Sequence, residues 1–545
     1  PWVDLTLSGP SYEEKWNSDP VMSRELLDFF AQSYGGERED PFLSPLFGDL
    51  TAMPPSQIFV GSDEVLLSDA TRLHEALAAQ GCHSQLTVRE SRWHSYLLYN
   101  LEEDREDFQE LNRFLSRFMC PQQKLRWLRL DNAAKLYPAS RRNRWSNVFR
   151  VSATLTEPVD VAVLQSALDV TLRRFPSISV RLRRGLFWYY LQQLPKTPPI
   201  RKESSCPLIW MSNAEVRKCA FRVIAYENRI AFEVFHSLTD GTGALIFLKS
   251  LTAEYLQQKY GVAIPAQHGV LGRLEEPSEE ELEDSFQKYA GPVSAGRNDT
   301  PAWRPKGTPE KDGFLNLTCF RLSSQEVLEH AHAQGVTVTA YLCAALMMAL
   351  QNMQKALVPN IRRRKSIKVL VPVNLRNLFP SRSLRNFALY TTPEIDPRLG
   401  EYTFPELCKL VHHHIGSDVT PKRMSRLIAT NIGSEKNLLI RLIPLFLKNI
   451  VMRTVFDLVG ERASCMNISN LGVIKLPESM KPYVQRMDFI LSAQARAPHN
   501  CSVLSYGDTV YVNMVRNTRE SDLEYHFFRV LQEQGLDVLV ESNRE

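Results

Sequence analysis

Histidines that follow apolar strands and stand close to an acid are the residues of this chain whose types and spacing could do chemistry. His236 opens the run His236-Ser237-Leu238-Thr239-Asp240-Gly241-Thr242-Gly243, after an apolar strand pattern from Arg229 to Phe235 and before a long helical pattern from Ala244 to Tyr260. A strand end is a rigid mount that can aim an imidazole into a cleft. Neutral imidazole titrates near about 6.5, so it can take a proton from a hydroxyl or an amine. Asp240, if buried, needs a cationic partner, because an unpaired buried carboxylate is costly. Gly241 and Gly243 permit a tight backbone beside it. The plainer reading is a satisfied core histidine followed by turn glycines, and so short a pattern does not decide between the two.

A second acid and histidine come earlier. Asp63 follows a short apolar strand, Gln57 to Val60, and His94 lies in a loop after an alternating strand near Ser84 to Val88. An acid in that position can hold an imidazole as a base. The alternative is a surface acid capping the next helix and a loop histidine. Three further groups are polar residues close to apolar segments. Arg376 follows the buried strand Lys368 to Asn374, Asn386 sits between Arg385 and Phe387, and Ser469 and Asn470 lie in Asn467-Ile468-Ser469-Asn470-Leu471-Gly472. Each has a turn or surface reading as well. The triplet His412-His413-His414 does not make a metal site, since adjacent residues on a helix point in different directions.

The elements that must position these groups need more than one core. At 545 residues the chain exceeds what a single core holds, and 44% hydrophobic with 23% charged residues is the make-up of a globular protein. A formal charge of +4 supplies no field strong enough to argue for nucleic acid or an anionic membrane as a partner. Nine scattered cysteines without a C-x-x-C pair argue against a disulfide framework or a zinc site and for a reducing, cytoplasmic setting. The longest apolar run, Leu439 to Val459, is interrupted by Arg441, Lys448, Arg453 and Asp457, so it predicts a buried or amphipathic helix, not a membrane span. Strand, turn and helix signals place Gln57 to Phe118 in an α/β arrangement. Alternation near Trp145 to Thr156, a helix over Val159 to Phe175 and strands up to Phe235 form a first lobe. A surface segment over 262–313, whose run EEPSEEELED reads as a solvated helix start, crosses to a second lobe.

Residues 1–119, through PWVDLTLSGPSY, SPLFGDL and VGSDEVLLSDA, resemble the C-terminal half of an α/β hydrolase of the hormone-sensitive-lipase type. The resemblance implies that Asp63 and His94 are remnants of a Ser, Asp, His triad. No G-x-S-x-G elbow and no HGGG-type run occurs in the sequence, so the serine is missing and the chain reads as a piece that begins inside a domain.

Residues from about 123 to 540 resemble the coenzyme-A-dependent acyltransferases, a superfamily that includes chloramphenicol acetyltransferase, peptide-synthetase condensation domains and alcohol acetyltransferases. The motif HSLTDGTG carries the resemblance. Phe235 stands where condensation and wax-ester enzymes often have a second histidine, and the plant D-F-G-W-G motif is absent, so the alcohol acetyltransferase branch fits best. The resemblance implies an α/β fold of two lobes, 120–261 and 314–545, joined by 262–313 and meeting at a tunnel. It implies His236 as general base in a catalytic run with Asp240 and Gly241, and Asp240 held bidentately by Arg376. Asn386, Ser469 and Asn470 are implied as tunnel or oxyanion groups, a donor being worth roughly 2.7 to 4 kcal/mol. The implied reaction moves an acyl group from a thioester, acyl-CoA as co-substrate, to an alcohol, with no bound cofactor or metal. Two other readings stay open: a carboxylester hydrolase whose large body is a binding module, and a condensation-like enzyme that takes acyl groups from a carrier protein and makes amides.

Overall fold

A computed structural model describes residues 2–99, 101–118, 126–140, 147–204, 206–291, 301–436, 443–455, 464–493 and 497–544. The chain forms two compact units, Pro1–Lys124 and Leu125–Glu545. The expected boundary at 119 and 120, and Cys120 with it, lies outside the described residues.

In the first unit, β1 (Ser56–Gly61) and β2 (Ser84–Arg89) pair in parallel, and α1 (Leu67–Ala79) connects them. The helix repeat puts Ala70, Leu73 and Leu77 on one face, where they bury against Ile58, Val60, Val3 and Leu50. Gly81, at φ +76°, takes the left-handed turn that stops the chain after the helix, and Cys82 returns its amide to the Leu77 carbonyl. Helix α2 (Arg105–Phe118) follows.

In the second unit the first sheet has the order β15-β4-β9-β8-β7, from β4 (Val148–Leu155), β7 (Arg201–Lys202), β8 (Phe221–Tyr226), β9 (Arg229–Phe235) and β15 (Val484–Leu491). Strand β9 is buried along almost its whole length, as its apolar sequence requires of a central strand covered on both faces. Helices α4 (Val161–Arg174) and α5 (Gly241–Tyr260) pack together against it, around Phe175, Phe221, Phe232 and Phe247. Asp160 caps α4 by accepting from Ala162 and Val163. The strand expected from Trp145 is observed from Val148, residues 145 and 146 lying outside the described ones.

A small sheet of order β3-β6-β5, from β3 (Trp127–Arg129), β5 (Val180–Arg184) and β6 (Tyr189–Gln193), lies in the same half, as does the short helix α3 (Leu136–Ser140). The second large sheet has the order β12-β11-β14-β16-β17-β10-β18. Its strands are β10 (Asn316–Ser323), β11 (Ile367–Asn374), β12 (Ala388–Thr391), β14 (Met466–Val473), β16 (His499–Tyr506), β17 (Thr509–Arg516) and β18 (Leu539–Ser542), with β13 (Glu394–Ile395) on the side of β11. Helices α6 (Val338–Leu357), α7 (Phe404–Asp418) and α9 (Asp522–Glu533) bury their apolar faces in its core, and α8 (Leu445–Val455) is the described part of the 439–459 run.

Two arrangements differ from the sequence reading. Strand β15 comes late in the chain yet pairs with β4 in the first sheet, Phe489 opposite Val151, because apolar alternation marks a strand without saying which sheet it joins. The acidic run is not wholly solvated. Glu281 is buried, and both its oxygens accept from Arg174 of α4, at 2.6 and 2.9 Å. The segment 262–291 is thereby clamped to the first lobe, while 292–300 lie outside the described residues. Among the described residues no single helix is long and apolar enough to cross a membrane.

Candidate active site

His236 follows the last residue of β9, and its amide donates to the Asn147 carbonyl at 2.8 Å, so the backbone on both sides of the ring is fixed. Its imidazole stacks on Tyr137 of α3, centroids 4.5 Å apart and planes 20° from parallel, and tilts against Phe149 at 4.8 Å. Nδ1 lies 3.0 Å from the amide oxygen of Asn386. The Asn386 amide nitrogen in turn donates to Asp131 Oδ2 at 3.3 Å, which turns the amide oxygen towards the histidine. Nδ1 therefore carries the hydrogen, and Nε2 keeps its lone pair with no partner among the described residues. Part of the residue remains exposed. Burial drives the imidazole below its ordinary range, against the opposing pull of a hydrogen bond to its own backbone, of Asp240 and of Asn386, so the neutral form persists in mildly acid solution.

Asp131 is fully buried. Its Oδ1 accepts from the Ala134 amide at 2.7 Å, and the Arg385 guanidinium lies 3.6 Å from Oδ2. Burial pushes its carboxyl up, and Arg385 with these hydrogen bonds pulls it back.

Asp240 is the cap of α5 and a staple between the two halves of the unit. Oδ1 accepts from the Gly243 amide at 3.1 Å; Oδ2 accepts from Arg376 Nη1 at 2.7 Å and from the Phe387 amide at 2.9 Å. The expected bidentate pair is a single bond, because the remaining guanidinium hydrogens go to the carbonyls of Ser383 and Arg385 and to the Asn374 side-chain oxygen. The neighbouring glycines are there for room. A Cβ on Gly241 would stand 2.8 Å from Leu471, and one on Gly243 would run into Thr239 Oγ1 and the Leu384 carbonyl.

His236, Asp240, Gly241, Arg376 and Asn386 therefore come together. Asn386 orients the imidazole through its amide oxygen and spends one of its two amide hydrogens on Asp131. Leu471 brings the β14 segment against Gly241, and Asn470 spends one of its two amide hydrogens elsewhere. Its amide nitrogen donates to Thr339 at 3.0 Å, and its oxygen accepts from Gly472, closing the irregular turn of the strand. Ser469 lies on β14 opposite Ser502, with no hydrogen bond to His236 among the described residues. Two cavities stand out in this unit, about 220 Å³ beside Arg174 and Glu254 and about 520 Å³ beside Arg364 and Asp396. His236 lines neither, so the expected tunnel is not one of them.

In the first unit the acid at His94 is Glu64, not Asp63. Nδ1 of His94 lies 2.7 Å from Glu64 Oε1, and Glu64 is buried with its other oxygen accepting from the Gly61 amide at 3.2 Å. Asp63 is more exposed and points to Lys15 at 3.9 Å. The turn after β1 is closed by the Asp63 amide bonding to the Arg92 carbonyl, and this places the next side chain inward. On α7, His414 Nε2 lies 3.3 Å from Asp418 one turn on.

Sequence reasoning missed Asp131, Tyr137 and Glu64. Glu64 could have been found as the neighbouring acid one residue on; Asp131 and Tyr137 carry no motif and reach the site only through tertiary folding.

Residues 1–98 match a family model of the alpha/beta hydrolase fold. An esterase of Acinetobacter venetianus is 31% identical over 103 residues, 18% of this chain and 34% of the esterase. An acetyl-hydrolase of Streptomyces hygroscopicus is 37% identical over 83 residues, 15% of this chain and 28% of the hydrolase. The chain thus spans about a third of the length of the curated relatives it matches. Among solved structures, TRI3 trichothecene 15-O-acetyltransferase from Fusarium sporotrichioides superposes with a TM-score of 0.50 at 10% identity, covering 75% of this chain and 94% of that one. TRI101 of F. sporotrichioides, solved with coenzyme A and T-2, gives 0.50 at 11% identity over 76% and 99%. Coverage that wide falls largely in the second unit. The chain therefore combines part of an α/β-hydrolase fold with the two-lobed fold of these acyltransferase structures.

Proposed function

We propose that the second unit transfers an acyl group from a thioester, acyl-CoA, to an alcohol, with His236 as general base. The observation that carries this reading is the orientation of one ring: Nδ1 held by Asn386, Nε2 without a partner among the described residues, the residue still partly exposed. Nε2 takes the proton of the acceptor hydroxyl as its oxygen attacks the thioester carbonyl. The tetrahedral adduct then expels the thiolate, and the proton on Nε2 passes to the sulfur. Asp240 and Arg376 touch neither substrate in this scheme; they hold the loop that presents Asn386. The coenzyme A in a neighbour of the same fold supports this donor. Free cysteines support a reducing, cytoplasmic setting.

A second reading rests on the His94–Glu64 pair. A serine supplied by residues beyond this sequence would complete an ester hydrolase there, leaving the large unit a binding module. Thiol release from acetyl-CoA with a panel of alcohols, on wild type and His236→Ala, separates the two. Loss of release in the variant supports acyl transfer, and equal release refutes it. Amide formation from carrier-bound acyl groups is the third arm of the same assay.

A further inference from the structure

Helix α8 is built inside out. Its polar residues Lys448 and Asn449 turn inward: Lys448 is buried 3.5 Å above the Trp188 ring and donates to the Phe187 carbonyl, and Asn449 donates to Tyr189 Oη at 3.0 Å. Its outward face is Phe446, Leu447, Ile450 and Val451, each between 43% and 61% exposed. The hairpin between β5 and β6 continues that surface. Leu186 and Phe187 at its tip are 73% and 37% exposed, and the Leu445 amide bonds to the Leu186 carbonyl at 2.9 Å.

The sheet behind the tip carries the charge. Strand register sets Arg181 opposite Gln192, which is opposite Trp127, and Arg183 opposite Tyr190, which is opposite Arg129, so these side chains share one face. Trp127 is 62% exposed. No residue of the three strands or of α8 is acidic. Arg181, Arg183 and Arg184 meet no carboxylate among the described residues, and Arg181 and Arg183 share only the Gln192 side-chain oxygen. The overall charge of +4 conceals this local excess.

An apolar tip and helix face, beside aromatic residues and unpaired arginines, have the chemistry of an element that lies in a lipid headgroup layer. We propose that α8 and the β5–β6 hairpin dock the protein on an anionic membrane surface. The charge selects this occupant, since a second copy of the chain would bring the same arginines face to face. Helix α8 also packs on α3, whose Tyr137 stacks on His236, so the docking face and the candidate site are joined through one short helix. The inference stands independently of the acyl-transfer reading.

The test is flotation of the full chain with vesicles of phosphatidylcholine, with and without phosphatidylglycerol. Wild type is expected to float only with the anionic vesicles, and less so at high salt. Leu186→Asn with Phe446→Asn is expected to lose partitioning at least about tenfold. Arg181→Gln with Arg183→Gln loses about fivefold per arginine. Unchanged thermal unfolding separates these losses from misfolding. No flotation, equal flotation with neutral vesicles, or flotation unaffected in both variants overturns the proposal. A dimer in sedimentation velocity that the Leu186→Asn, Phe446→Asn variant abolishes, without vesicle binding, overturns it in favour of a second copy.

Discussion

The amide oxygen of Asn386 faces Nδ1 of His236 at 3.0 Å, across the boundary between the two halves of the larger unit. A residue on the loop after β11 thereby decides which nitrogen of a residue after β9 is free. Asn386→Ala is expected to slow thiol release about tenfold through loss of one orienting hydrogen bond of about 1.4 kcal/mol. Comparison of kcat with KM checks it: the fall belongs in kcat.

The pH dependence has a defined sign. Burial lowers the imidazole, so the neutral base survives as pH falls through about 6.5, and activity is lost only further down. A pH profile of kcat/KM with its acid limb at or above the ordinary imidazole range would contradict the geometry. Asn386 opposes the burial effect, so in Asn386→Ala the limb moves lower still.

Asp131→Asn removes the acceptor that keeps the Asn386 amide from flipping. Mixed imidazole tautomers in ¹⁵N spectra are expected, where wild type has a single Nδ1–H form.

Arg376 joins Asp240 and two carbonyls, and both charged side chains are almost fully buried. Arg376→Ala leaves a buried carboxylate unpaired and is expected to destabilise the unit by about 3–5 kcal/mol in urea unfolding. Arg376→Lys, which can reach Asp240 without the carbonyls, falls between.

In the first unit, a low-field proton from Nδ1 of His94 is expected in wild type and in Asp63→Ala, and absent in Glu64→Ala. Its survival in Glu64→Ala would return the acid role to Asp63.

What the sequence made legible follows from distance along the chain. His236 to Asp240 are contiguous and end a strand whose apolar pattern is plain, so their neighbourhood could be read directly. Arg376 and Asn386 were legible only through a family resemblance. Glu64 was missed because adjacent acids point to opposite sides, and the turn that chooses between them depends on Arg92, far along the chain. Glu281 sat in a run of acids that looks uniformly solvated, and only packing of the crossover on α4 singles it out. Asp131 lies well before the motif, in a segment with no pattern of its own.

Strand β15 has a bearing on any attempt to produce the first lobe alone. A fragment stopped before Val484 would leave β4 as an open rim, its ladder groups bare and its apolar residues uncovered on that side. Such a fragment should clump or swap strands, and adding back a peptide spanning Val484–Leu491 should restore it. The lobes are therefore interlaced by the chain itself, and dissecting them requires a circularly permuted gene in place of a simple cut.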